Sequence, residues 1–541
     1  MPWPDMTDYA ATCRDFSWDV PATFNFASDT VDRHARDPAR RALVWCDAAG
    51  AEASYSFAEI SALSRRMGNV LRAAGIGQGD RVVVMLPRRP EWQIAMVACL
   101  RIGAVVVPCI DMLTARDLGF RISRSGARGI VTMAANIAKL PADQEVAARI
   151  AVGAGAGAPD GWIDWQTALA AAPDDCPAAT VGAEDPVAIY YTSGTSGNPK
   201  GVTHAARALH VWGATAKYWL DLGPGDLIWC TADTGWSKAG TSVLFGPWSM
   251  GATALFFDGP FDPAHRLELL ERYRVNVFCA AATELRHLVF EDMAGRDLSA
   301  LRQTVSAGES LNPEVADRWA ALSGAPVREG YGQTETLMSV HNYPGVPQKA
   351  GSAGLPLPGY EVSVMGPDGL PAGNGEAGIL AVRLPNPNFM LGYRDEPERT
   401  AAQIVRSGDS DWWLTGDTAR IDADGYVFFE GRADDIISSA GYRIGPSEVE
   451  NVLLEHPAVR ECAAIASPDE ERGEVVKAMV VLADGHAGSD ALAAELQDHC
   501  KRLTAPYKYP RRVEFVDDLP KNVAGKILRG ELRRREFAGG D

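Results

Sequence analysis

The chain has no Cys-x-x-Cys pair among its nine cysteines, so no zinc knuckle and no thiol–disulfide motif is written into it. With the cysteines scattered, buried free thiols in a reducing cytoplasm are expected rather than a disulfide framework. No apolar run approaches the ~20 residues needed to span a bilayer. The first residues carry Asp5, Asp8 and Asp15 and no apolar stretch, so no signal peptide is expected there. Positive charge is in deficit: 52 Lys and Arg against 70 Asp and Glu leave a net charge of −18. That balance argues against binding nucleic acid or anionic lipid through bulk charge, and an anionic substrate must be drawn in by local cations. What remains is a globular composition, 46% hydrophobic and 23% charged over 541 residues. A chain of that length exceeds one ordinary core, so two or more domains are expected.

What the chain does contain is concentrated in a few segments. Tyr191-Thr192-Ser193-Gly194-Thr195-Ser196-Gly197-Asn198-Pro199-Lys200-Gly201 follows the apolar run Pro186 to Tyr190, which reads as a buried strand ending in a turn. Three glycines let this backbone approach a ligand closely. Its bare N–H groups, the hydroxyls of Thr192, Ser193, Thr195 and Ser196, and the Lys200 ammonium suit polyphosphate oxygens. The spacing is not that of a Walker A loop, because Pro199 precedes Lys200. A flexible Ser/Gly linker shares the composition but needs neither a feeding strand nor a lone Lys after Pro.

Residues 1 to about 30 read as an aromatic arm (Trp3, Tyr9, Phe16, Trp18, Phe24, Phe26) packed on the body. Ser54 to Glu59 opens a helix, Arg81 to Leu86 is a β-branched strand, and Trp92 to Ile102 is a helix leading to the strand Ala104 to Pro108. This alternation recurs to about Val327 and favours parallel sheets with crossover helices. Pro/Gly turns then crowd together, and runs such as Tyr360 to Val364 and Tyr426 to Glu430 suggest a small antiparallel barrel or sheet. The Gly/Ala tract Gly153 to Ala158 is not G-x-G-x-x-G and reads as a surface loop.

The Ser/Thr/Gly segment resembles the phosphate loop of the adenylate-forming superfamily: acyl-CoA synthetases, peptide-synthetase adenylation domains and luciferases. Gly330-Tyr331-Gly332-Gln333-Thr334-Glu335, Trp413 to Asp417, Gly431-Arg432-Ala433-Asp434-Asp435 and Pro520 to Lys526 recur in that family's order. Arg328 to Gln333, Ser439 to Glu448 and Ala505 to Pro510 look most like the medium-chain acyl-CoA synthetases. The resemblance implies an α/β protein: a large N-terminal domain, 1–431, of two parallel-sheet lobes plus a small β-barrel, then a small mobile α+β domain, 432–541. It implies ATP, Mg²⁺ and coenzyme A, with no nucleic-acid or membrane partner; whether the chain is a homo-oligomer stays open.

A carboxylate attacks an α-phosphorus poorly because both are anionic, so charge must be neutralised and the partners aligned. Thr195 and Glu335, the latter just after a Gly-rich turn, are hard oxygen donors suited to Mg²⁺, and the resemblance implies those two positions; the lesser alternative for Glu335 is an exposed loop carboxylate. The family implies that Gly308, Glu309 and Ser310, after the strand end Thr304 to Ser306, lie beside adenine with Tyr331 stacked on it. Asp417 and Arg432 would take the ribose, and Lys526 would bridge the acid and the α-phosphate as the catalytic cation. In the family's second half-reaction the small domain rotates about Asp434 and presents Gly441 to the pantetheine. Arg443, and with less support Arg472 and Lys501, would contact CoA phosphates. Asn522 and Ala524 depart from the usual Thr and Ser or Thr, leaving Gly525 and Lys526 intact.

Acetate-specific relatives close the acyl pocket with Trp at the position of Gly332. Glycines at 308, 330 and 332 therefore imply an open floor, flanked by Trp236, Lys238 and Gly240. Ala282 replaces the Pro usual before Thr283. The reading is a cytoplasmic AMP-forming acyl-CoA synthetase for short- to medium-chain or branched acids. An aromatic-acid CoA ligase and an enzyme loading a separate carrier protein remain alternatives.

Overall fold

The computed structural model describes residues 3–192, 199–309, 311–439, 442–469, 472–504, 508–521 and 527–538. Two large sheets dominate. The first runs, in spatial order, Gly392–Tyr393, Lys200–Ala205, Pro186–Thr192, Val105–Cys109, Arg81–Met85, Ala127–Met133, Ala148–Val152 and Ile163–Asp164. Its strands are parallel from Pro186–Thr192 outward, and the first three pair antiparallel. The second has nine strands, with a parallel centre, Arg41–Asp47, Thr253–Asp258, Leu227–Cys230, Val277–Cys279, Gln303–Ala307 and Val327–Gln333, and antiparallel strands at both edges. Helical crossovers produce this arrangement, as the alternating sequence pattern requires.

One core joins the sheets. Val82, Val84 and Val106 of the first sheet and Trp45, Ile228 and Val305 of the second belong to the same buried cluster. The helix Pro90–Arg101 fills that space and is buried at every position but Glu91. A helix apolar all round has two layers to satisfy, which explains the absence of a polar face. The expected opening of a helix at Ser54 to Glu59 is a capping box: Ser56 caps Phe57–Ala73 while Glu59 returns a bond to Ser56 N at 2.7 Å.

The N-terminal arm packs as expected. Tyr9 stacks on Tyr343 with centroids 5.6 Å apart, its hydroxyl donates to Pro356 O at 2.8 Å, and Trp3, Phe24 and Phe26 are buried. The tract Gly153 to Ala158 contains a single 3₁₀ turn, Gly155–Gly157, where a plain loop is expected. All nine cysteines are free thiols, and all but Cys13 are buried. No helix among the described residues is long and apolar enough to cross a membrane.

The crowded turns after Val327 give an antiparallel five-stranded sheet, Val362–Met365, Ala377–Leu384, Ser410–Ile421 and Ile404–Ser407 in order, with Val427–Arg432 also on Ser410–Ile421. A fourth sheet begins at Ile437–Ser439 and ends at Arg512–Phe515. The change from one sheet to the next therefore falls within four residues, Ala433 to Ile436. Asp434 is exposed in that turn, and its carbonyl accepts from Arg533 Nη1 at 2.7 Å.

Candidate active site

The segment Val327–Gln333 is a strand, not the Gly-rich turn its composition suggests. It pairs parallel with Gln303–Ala307 and antiparallel with Leu337–His341, with an irregularity between Tyr331 and Gly332. The turn proper is Thr334 to Thr336. The carboxyl end of the parallel strand Gln303–Ala307 leads into Gly308 and Glu309, as ligand sites of parallel sheets do.

Three groups converge on Asp417. The Tyr331 hydroxyl donates to Oδ2 at 2.5 Å, Gln333 Nε2 donates to the same oxygen at 2.8 Å, and Arg432 Nη1 lies 3.4 Å from Oδ1. The strands bring Arg432 there, because Asp417 and Arg432 are register partners. Burial, with Asp417 beside it, pushes the Tyr331 phenol well above its usual range, so it stays a donor. This buried carboxylate is fixed before any ligand arrives, and such an acceptor can take a sugar's two hydroxyls.

Glu335 and Lys200 form a second group. Lys200 opens the strand Lys200–Ala205 opposite Thr192, and its Nζ lies 2.8 Å from Glu335 Oε1. Burial works against the charge on Glu335, but the Lys200 ammonium and the hydrogen bonds it receives hold its carboxyl below the usual range. Tyr393 completes the group at 2.7 Å from both Lys200 Nζ and Glu335 Oε1. Lys200 and Tyr393 both meet Glu335 through Oε1. No cluster of three or more His, Cys, Asp or Glu exists among the described residues. A divalent ion would thus rest on one carboxylate and on substrate phosphates, the usual manner of Mg²⁺.

Glu309 accepts from Thr283 Oγ1 at 2.8 Å and Thr283 N at 3.2 Å, with Arg286 Nη2 3.6 Å away. Ala282 is the first residue of the helix Ala282–Leu288, a position where Pro and Ala are both tolerated. Lys238 Nζ donates to Ala307 O at 2.9 Å. Burial alone would lower its basicity, yet the adjoining Cys279 and Cys230 thiols and the carboxylates of Glu309 and Glu284 raise it, so the ammonium persists. Trp236 is half-buried against the cluster of Val107, Ile110 and Leu113.

The reading of an open acyl floor is corrected at Gly330 and Gly332, and the flanking Gly240 is close-packed as well. A Cβ on Gly332 would collide with the Leu337 carbonyl and come within 2.6 Å of Met338 Cα. At Gly330 it would meet Met338, His341 and Trp219 side chains at 2.9–3.0 Å, and at Gly240 the Tyr190 hydroxyl at 2.5 Å. These glycines permit close packing of strand and helix. Gly308 differs, with φ +96 and nothing within 4 Å of a built Cβ.

Ser193, Gly194, Thr195, Ser196, Gly197, Ser310, Gly441 and Lys526 lie outside the described residues, as does the side chain of Arg443. Thr192 ends its strand with a buried hydroxyl that has no partner among the described residues. Lys501 is not a free cation: it pairs with Asp498 at 2.9 Å and sits 4.6 Å over the Tyr509 ring. Arg472 follows Asp469, whose Oδ1 accepts from its backbone N at 3.0 Å. Arg472 precedes the strand Gly473–Leu482 and Lys501 lies on the helix Asp490–Leu503, both in the fourth-sheet unit.

Three residues of the site carry no signal that the sequence reading used. Tyr393 is one. His204 is another: its Nε2 lies 2.7 Å from Thr334 O and must carry the proton, and burial lowers the ring to about 4, so it stays neutral. Glu329 is the third: its carboxylate accepts from Leu311 N at 3.0 Å, and burial pushes it up to about 7. Tyr393 sits on the edge strand of the first sheet, His204 on the strand beside it, and Glu329 on a strand inside the second sheet.

Known proteins resemble this chain in sequence and fold. Acyl-coenzyme A synthetase ACSM3, mitochondrial, of Pongo abelii is 39% identical over 98% of this chain and 93% of that protein. The crystal structure of Brucella canis acyl-CoA synthetase is 35% identical, covering 99% of this chain and 98% of that one with a TM-score of 0.74. A benzoate CoA ligase from Burkholderia xenovorans LB400 is 28% identical, covering 94% and 100%, with a TM-score of 0.82. The AMP-binding enzyme profile matches residues 31–394 and the AMP-binding enzyme C-terminal domain profile residues 448–526, so the chain belongs to the AMP-binding enzyme family.

Proposed function

We propose that this chain is an AMP-forming acid–thiol ligase, joining a short- to medium-chain or branched carboxylic acid to coenzyme A through an acyl-adenylate, with release of AMP and pyrophosphate. The observation that carries this reading is the fixed Asp417 carboxylate, held by Tyr331, Gln333 and Arg432, in a chain of this family. Asp417 accepts the ribose hydroxyls and Arg432 reaches the same sugar. Tyr331 lies against the base, beside Gly308, Glu309 and Ser310. The phosphate loop, Thr192 to Gly197, and Lys200 take the β- and γ-phosphates. Glu335, with Thr195, would hold Mg²⁺, which when bound supplies charge neutralisation on those phosphates. Lys526 stabilises the charge that develops between the acid and the α-phosphate.

The small unit, which we bound at 432–541 against 1–431, turns about Asp434 for the thioester step. Gly441 then faces the pantetheine, with Arg443 and, secondarily, Arg472 and Lys501 on the nucleotide phosphates of CoA. At Lys501 a phosphate must displace Asp498. Trp236 and Lys238 flank the acid. With the open floor reduced to Gly308, chain-length preference rests on Trp236 and on the likeness to acyl-CoA synthetases. The likeness to a benzoate CoA ligase supports an aromatic acid as the second reading. Nine free thiols suit a reducing compartment, and we place the protein in the cytoplasm, to be tested by fractionation.

A pyrophosphate-release screen across linear, branched and aromatic acids, with and without CoA, tests the reading. Multiple turnovers that require CoA support it. A single-turnover burst indifferent to CoA indicates a carrier-loading enzyme, and preference for benzoate-type acids moves the assignment to the second reading.

A further inference from the structure

The Lys200–Glu335 pair contains a third member that the family motifs do not supply. An ammonium can only donate, so Lys200 Nζ donates to both Glu335 Oε1, at 2.8 Å, and the Tyr393 oxygen, at 2.7 Å. The Tyr393 hydroxyl is left to donate its own hydrogen to Glu335 Oε1 at 2.7 Å. The result is a closed triangle of one cation, one anion and one neutral group that is both donor and acceptor. The ammonium also lies 4.5 Å from the centroid of the Tyr393 ring.

Tyr393 is built into place. The short strand Gly392–Tyr393 pairs with Lys200–Ala205, with Tyr393 opposite Val202, and Arg394 N donates to Gly201 O at 2.7 Å. Tyr393 N donates to Thr400 Oγ1 at 3.0 Å, and its ring packs edge-on to Trp413 at 6.1 Å. Glu335 is anchored from the same direction, because Met390 N donates to its carbonyl at 2.9 Å. Tyr393 itself is 5% exposed. A buried phenol aimed at an ion pair, and held there by its own strand, has a role beyond filling space.

The charge of Lys200 rests on Glu335. If that ammonium turns to a polyphosphate, the buried carboxylate must keep another hydrogen-bond donor, and the Tyr393 hydroxyl is one. We infer that Tyr393 is a positioning residue that keeps the Glu335 carboxylate aimed while Lys200 is transferred from Glu335 to the phosphates of ATP. This inference rests on the proposed nucleotide-binding role of Lys200 and Glu335.

Tyr393→Phe keeps the ring, its packing on Trp413 and the cation–ring contact, and removes only the hydroxyl. Calorimetric binding of a non-hydrolysable ATP analogue with Mg²⁺, and Mn²⁺ binding by paramagnetic resonance in the presence of that analogue, read the effect without turnover. The loss of one hydrogen bond to a charged group should weaken each about tenfold. The KM for ATP should rise while that for the acid stays constant. In a Glu335→Gln background the same change should add nothing, because the partner it serves is gone. Melting temperatures of all four proteins verify folding; should Tyr393→Phe not fold, Thr400→Val loosens the same side chain from its backbone tether and should weaken Mn²⁺ binding in the same direction.

Wild-type affinity in folded Tyr393→Phe overturns the inference, as does an undiminished deficit in the Glu335→Gln background. If the wild-type protein itself binds no Mg²⁺-ATP analogue, the proposed function fails first, and the two failures are thereby distinguished.

Discussion

The Tyr331 hydroxyl and Asp417 Oδ2 lie 2.5 Å apart, joining the residue assigned to the base and the residue assigned to the sugar in one hydrogen bond. Gln333, on the same strand as Tyr331, donates to the same oxygen at 2.8 Å. The nucleotide's two halves would therefore meet a single preformed surface. Asp417→Asn removes charge with little change of shape, and kcat/KM for ATP should fall about a hundredfold; Tyr331→Phe should cost about tenfold, mostly in the KM for ATP. Steady-state kinetics with ATP varied at saturating acid and CoA decide this. A Tyr331→Phe enzyme with a normal ATP profile would show that the bond is incidental.

Gly332 supplies the second prediction. Its missing side chain accommodates the backbone of Leu337 and Met338, so Gly332→Ala should lower the melting temperature by several degrees through overpacking and depress turnover of all acids alike. Gly332→Trp should fail to fold. Chain-length profiles measured beside thermal melts check the claim. A folded Trp variant that prefers acetate would restore Gly332 to the acyl wall.

Glu329 predicts a dependence on pH. Its carboxyl is raised from 4.5 to about 7 by burial. A carboxyl raised on folding contributes its full stability at low pH, and loses it as pH climbs from the unfolded value through the folded one. The melting temperature of wild type minus that of Glu329→Gln should be most positive near pH ~4, fall between about 4.5 and 7, and level off above. A difference that does not vary with pH over that window would refute the burial argument.

Lys526→Ala separates the half-reactions. Adenylate formation should drop by about three orders of magnitude, while thioester formation from preformed acyl-adenylate should be largely kept. Rapid-quench assays of each step provide the test. Equal losses would mean that one arrangement of the small unit serves both steps, contrary to a rotation about Asp434.

Local sequence was sufficient wherever a few consecutive residues decide the structure. The strand Pro186–Thr192, the capping box at Ser56 and Glu59, and the run of helices and strands to Val327 follow from periodicity and capping chemistry that act within about one turn or strand. The motif residues Lys200, Glu335, Asp417 and Arg432 were legible as candidates, and the fold does gather them in pairs. What the chain's order could not express is which groups share one oxygen. Tyr393 reaches Glu335 across 58 positions and His204 reaches Thr334 across 130, through strands paired at a sheet edge. Gly332 shows the same limit in reverse. A glycine in sequence announces an absent side chain, but only the neighbouring strand determines whether that absence is filled by a ligand or by the backbone of Leu337 and Met338.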